Sequence, residues 1–125
     1  MNKIFKNNKG VILLLTLFIL SGILIITLGA ADLVMAGIKM NRLAGYSNLA
    51  FFASEAGLEQ ALWKVRKDNY PLPDADQLNM FQNLNIGNDS AFQVNYATSS
   101  PNVTFKSIGS YRGAKRSVES TYAVQ

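Results

Sequence analysis

Hydrophobic residues follow three patterns along the chain. The first is unbroken. From Gly10 to Ala31 the sequence GVILLLTLFILSGILIITLGAA runs 22 residues without a charge or a proline, and fourteen of them are Leu, Ile, Val or Phe. A helix of that length spans about 33 Å, enough for a hydrocarbon core of about 30 Å. At roughly −0.5 kcal/mol per strongly apolar residue, insertion is favoured by something on the order of −7 kcal/mol. The second pattern is helical. Leu33, Val34, Ile38, Leu43, Leu49, Phe52, Ala56 and Trp63 recur at spacings of mostly three to six residues, with no proline from Asp32 to Lys67. They predict a mixed apolar face, with Lys39, Arg42, Glu59, Lys64 and Arg66 on other faces. Pro71 and Pro73 mark a stop.

One helix is therefore expected from about Val11 to about Lys67, roughly 85 Å long at 1.5 Å per residue. The remaining chain is too short to bury such a rod. Its first half must pack against lipid or against copies of itself. Gly22, Gly29 and Ala36 fall seven apart, a stripe that lets helices approach closely, although glycine is also common in membrane helices generally.

The third pattern has a period of two. Phe92, Val94 and Tyr96 alternate with polar residues. Val103, Phe105 and Ser107 do so next, with Ile108 and Tyr111 near the strand end, then Val118, Ser120, Tyr122 and Val124. Ser99-Ser100-Pro101-Asn102 and Arg112-Gly113-Ala114-Lys115 are turn signals between them. The expectation is a three-stranded antiparallel meander, its greasy face covered by the amphipathic half of the helix and Trp63 in the core beneath. Asp68 to Ser90 reads as a polar, Asn-rich connection. Within it Asp74 to Leu84 predicts a short helix, capped by Asp74, with Leu78, Phe81 and Leu84 on one face. The fold class is α+β.

Composition removes several chemistries. The 125 residues contain no Cys and no His. That excludes disulfides, thiolate or imidazole metal sites, and the Ser-His-Asp and Cys-His nucleophile systems. No carboxylates pair convincingly and no Gly-rich phosphate loop is present, so an enzyme is not expected, nor a cofactor or small-molecule substrate. Asp74 and Asp76 lack the later acidic ligand and the glycine of a calcium loop. The formal charge is +4, but Lys3, Lys6 and Lys9 all lie in the first ten residues. Basic residues before an apolar span hold the N-terminus in the cytoplasm, so the remainder crosses. A cleaved signal peptide would use Gly29 and Ala31 before Asp32, but its apolar core is normally only about 7–15 residues. An uncleaved single-span anchor carrying a small extracytoplasmic binding domain is the alternative reading.

A short Lys-rich segment ending in Lys9-Gly10, an uninterrupted apolar helix and a small C-terminal sheet together resemble the leader and architecture of type IV pilins. Asn41 to Lys67 resembles more closely the N-terminal region of PilX-type minor pilins. There an A-x-x-A-A-E-A-G-L-E-x-A stretch follows the membrane helix, and here Leu49 to Ala61 reads LAFFASEAGLEQA. The hairpin Ser107 to Arg116 is also similar. The match covers about Lys9 to Lys67, with weaker support over Phe92 to Val124.

The resemblance implies cleavage by prepilin peptidase between Gly10 and Val11 and methylation of Val11. It implies polymerisation with other pilin subunits through the helix, after residence in the lipid bilayer and delivery by an inner-membrane assembly platform. Two departures stand out. Major pilins usually begin with Phe, whereas this mature chain would begin with Val11. They also carry Glu at the fifth mature position, where this chain has Leu15. In a filament that carboxylate is thought to neutralise a neighbour's terminal amine. A subunit with no neighbour ahead of it needs none, and the pseudopilin capping type II secretion filaments likewise lacks it. The implied role is a minor pilin or pseudopilin at the tip or in initiation.

Other residues are read more plainly. Lys106, Arg112, Lys115 and Arg116 gather near the last hairpin. They could meet phosphate or a partner in a DNA-uptake filament, but basic turns commonly serve solubility and discourage edge pairing, and that is the stronger reading. Glu55 is either an assembly contact or a solvated carboxylate. Asn88-Asp89-Ser90 and Asn102-Val103-Thr104 match glycosylation acceptors, which matter only in a eukaryotic secretory pathway. The expected organisation is a leader at 1–10, a membrane and polymerisation helix at 11–31, its amphipathic continuation at 32–67, and a connection plus sheet at 68–125. The expected location is the bacterial inner membrane, then the filament.

Overall fold

The computed structural model describes residues 8–124. Lys3 and Lys6, and with them most of the expected leader, lie outside the described residues. One α-helix, α1, runs Asn8–Lys67. Four strands follow: β1 (Gln77–Gly87), β2 (Ser90–Ser99), β3 (Asn102–Tyr111) and β4 (Ala114–Ala123). They form one antiparallel sheet in sequence order. The chain divides into two compact units between Asn41 and Arg42.

The N-terminal unit is helical over its described residues. Its side chains from Asn8 onward are exposed apart from a half-buried Gly22, and these include Val11, Leu15, Phe18 and Ile26. The helix containing it is long and apolar enough to cross a membrane. Thr16, Ser21 and Thr27 donate their hydroxyls to the carbonyls of Leu13, Phe18 and Leu24, three residues back. These bonds satisfy the polar groups within the helix, as an apolar environment demands.

The C-terminal unit is an α+β layer. The end of α1 is fixed by its sequence. Lys64, Arg66 and Lys67 occupy the last turn, where cations meet the negative end of the helix dipole. Asn69 takes a left-handed φ of 48°, and Pro71 bars continuation. β2 and β3 pair over ten successive residues, from Ser90 opposite Tyr111 to Ser99 opposite Asn102. β3 and β4 pair equally regularly. Asn88-Asp89 and Arg112-Gly113 have positive φ at both central turn positions, the geometry that matches the twist of a two-residue hairpin. Inward side chains of β1, β2 and β3 meet in one core of Phe81, Phe92, Val94, Tyr96, Val103 and Phe105, with the half-buried Tyr122 of β4 packed against it and Ala61, Leu58, Leu62 and Val65 closing it from the helix side.

Two expectations are corrected. The sheet has four strands, not three, and Asp74–Leu84 is not a helix, because Gln77–Gly87 forms β1. Asn79, Asn83 and Asn85 are poor helix formers, and Phe81 gains more by joining the core. Asp74, expected as a cap, therefore has no helix to cap, and the neighbouring Asp76 has a different role. The Asp76 carboxylate accepts the Thr98 amide at 2.7 Å and ties the start of β1 to β2.

The second correction concerns the face of α1 that meets the sheet. That face is Ala50, Ala53, Ser54, Gly57 and Ala61. Leu49, Phe52 and Ala56 point away and are exposed. Trp63, expected in the core, is 61% exposed. Small residues win because they let the helix backbone lie directly on β3. A β-carbon on Gly109 would strike the Ala50 carbonyl oxygen and the Ser54 nitrogen.

Candidate functional site

Among the described residues no group of three or more acidic, His or Cys side chains is placed to hold a metal. What the chain offers is surface, in three places.

The first is the apolar helix itself. Gly10, Val11 and Leu15 all lie on α1, and Val11 and Leu15 are exposed. No carboxylate stands at position 15, and the nearest acidic residue along the helix is Asp32.

The second is the block Leu49–Ala61. Its small residues pack on the sheet, so the sequence signal there is one of close approach. Gly57 faces Ser107 and the Phe92 ring, and a β-carbon on it would come within 2.7 Å of Phe92 Cδ2. Ser54, fully buried, donates to the Phe51 carbonyl at 2.7 Å. Glu55 is exposed on another side of the helix and takes part in neither of the described ion pairs. Leu49, Phe52 and Ala56 instead border an open groove of about 670 Å³, closed on its other side by Ile86, Asp89 and Arg112.

The third is the hairpin cluster, which the structure divides. Lys106 pairs with Glu119 across the strands at 2.6 Å. Arg116 Nε donates to Ser47 Oγ at 2.6 Å, joining β4 to α1. The Arg112 guanidinium lies 5.8 Å from the Tyr46 ring centre and 5.5 Å from that of Tyr111. Tyr46 and Tyr111 pack edge to face at 5.4 Å. A hydrogen bond with Tyr46, and then the neighbouring Tyr111, push the Arg112 guanidinium further towards its charged form. Asp89 lies 3.8 Å away and brings the β1–β2 turn into the same cluster. Lys115 is exposed. Arg112 and Arg116 are thus engaged in strapping the hairpin to the helix, and Lys106 is neutralised. The four cations do not form one free basic patch. Sequence reasoning missed Tyr46 and Ser47 as partners of these arginines, because those contacts link positions more than sixty residues apart.

The search for related proteins finds no matching family model, no matching curated protein and no matching solved structure.

Proposed function

We propose that the chain is a minor pilin or pseudopilin, a structural subunit of a type IV pilus or a type II secretion-like filament. The observation carrying this reading is a join. Lys9-Gly10 stands immediately before an uncharged stretch long enough to span a bilayer, and the same helix continues unbroken to the small-residue block that seats it on a sheet. Assembly is the mechanism. The precursor sits in the inner membrane with its N-terminus in the cytoplasm. Prepilin peptidase cuts after Gly10, Val11 is methylated, and the Val11–Ala31 helix exchanges lipid for other pilin helices. An unpaired charge in apolar surroundings is costly, so Leu15 suits a subunit with no neighbour ahead of it, at the tip or in initiation.

Shearing filaments from cells that express the chain and quantifying their subunits by mass spectrometry tests this role. The expected result is a few copies per filament. A filament built mostly of this chain would contradict the tip assignment, and absence from every filament fraction would contradict the subunit reading.

The apolar span also supports a second reading, an uncleaved single-span protein with an extracytoplasmic binding domain. In that case the leader stays attached.

A further inference from the structure

The sheet has two outer strands, and they differ. β1 shifts register twice against β2, and Asn79 within it takes a left-handed φ of 54°. Such irregularity blunts an edge. β4 is regular. Each residue from Ala114 to Ala123 faces a β3 partner without a shift, and the strand holds no proline and no glycine. The Val124 amide donates to the Pro101 carbonyl at 3.0 Å and continues this ladder. Antiparallel bonding alternates along a strand, so the even-numbered residues of β4 bond to β3. Lys115, Ser117, Glu119, Thr121 and Ala123 therefore turn their N–H and C=O groups outward, a row that extended backbone matches along its length.

Charged side chains guard many such edges, but here most of them are held. Glu119 pairs with Lys106, and Arg116 reaches Ser47 on α1. Lys115 takes part in neither of the described ion pairs. An apolar shelf lies beside the row. Val118, Ser120 and Tyr122 stand opposite the buried Ser107, Phe105 and Val103, so they face the helix side of the sheet. Leu58 and Leu62 of α1 pack against the margin of the core there, as Tyr122 does. Phe51, one helical turn beyond Ser47 and two before Leu58, stands on the same side of α1 and is 41% exposed.

We propose that β4 is an acceptor strand. It takes, in antiparallel pairing, an extended segment of a partner protein that carries alternating apolar residues and a carboxylate opposite Lys115. The backbone row supplies the hydrogen bonds, the shelf receives the apolar side chains, and Lys115 sets the register. A second copy fits poorly, since Arg116 and Ser120 are among the residues its β4 would lay on the shelf. The inference goes beyond the filament reading and does not depend on it, because an anchored binding domain would use the same edge.

Fluorescence anisotropy of the labelled peptide Thr-Val-Thr-Val-Thr-Val-Thr-Val-Glu, added to the full chain in phosphatidylethanolamine–phosphatidylglycerol nanodiscs, tests it. Saturable binding is expected, absent from empty nanodiscs. Replacing the final Glu of the peptide by Lys should weaken it about fivefold, and Lys115→Glu should reverse that preference. Ser117→Pro removes an outward N–H from the open edge and leaves the ladder to β3 its bonds. It should weaken the peptide about tenfold with circular dichroism unchanged. No saturable binding, parental affinity in Ser117→Pro, or an unreversed preference in Lys115→Glu would overturn the proposal. So would a Ser117→Cys chain that oxidises to a disulfide-linked dimer in the membrane, which would assign the edge to a second copy.

Discussion

Gly109 of β3 lies directly against the backbone of Ala50 in α1, so closely that a β-carbon would run into the Ala50 carbonyl oxygen. Backbone atoms give way poorly, so Gly109→Ala should separate helix from sheet. Overpacking of this kind costs about 3 kcal/mol. At Gly57 one of the facing groups is the Phe92 ring, which can turn, so Gly57→Ala should cost less than Gly109→Ala. Urea unfolding of the full chain in detergent, followed by circular dichroism, gives the order. Equal, negligible costs would mean that the helix does not sit on β3 in this way.

Ser107 presents the reverse case. It is fully buried, and its hydroxyl has no hydrogen-bond partner. A polar group desolvated without compensation is a net cost. Ser107→Ala should therefore raise stability by about 1 kcal/mol, although it replaces a core residue. The same unfolding assay would refute this with a clear loss.

Tyr122 supplies a pH dependence. Its hydroxyl is buried without a partner, and burial pushes its pKa up from 10, opposed by Arg66. Above pH 10 the unfolded chain releases this proton first while the folded chain retains it. The folded state then binds more protons, and stability falls as pH rises through that window. Below pH 10 both states are protonated and the effect vanishes. Tyr122→Phe should remove this component of the alkaline loss and preserve the ring stacked on Phe105 at 6.2 Å. Melting curves from pH 8 to 11 that keep the parental slope in the variant would contradict it.

Trp63 and Phe105 separate surface from core. Trp63→Ala should change stability by less than about 1 kcal/mol, since the ring is largely exposed. Phe105, with no exposed surface, should cost about 3–5 kcal/mol as alanine. Comparable losses at the two positions would place Trp63 under the sheet after all.

The contrast between those residues shows what the sequence could and could not convey. Phe92-Val94-Tyr96 and Val103-Phe105-Ser107 alternate cleanly, and they face the core as their period requires. The helix end before Pro71 was equally legible. β1 was not, because its register against β2 shifts between Gln77 and Phe81 and again between Asn83 and Gly87, and Asn79 takes a left-handed φ. Those irregularities erase the period of two. The sheet-facing side of α1 was hidden for a different reason. Ala50, Ala53, Ser54, Gly57 and Ala61 carry almost no hydrophobic signal, so Leu49, Phe52 and Trp63 dominated the pattern while facing outward. Of the candidate site, the lysine–glycine junction and the apolar span needed no fold to be seen. The division of the basic cluster among Glu119, Ser47 and the two tyrosines depended on it.

The filament account turns most directly on the mature N-terminus. The full chain should be produced together with an active prepilin peptidase, recovered from membranes and its N-terminal peptide weighed. The account predicts a chain beginning at methylated Val11. An intact leader beginning at Met1 would contradict it and favour the uncleaved anchor, and a chain beginning at Asp32 would contradict it in favour of an ordinary signal peptide.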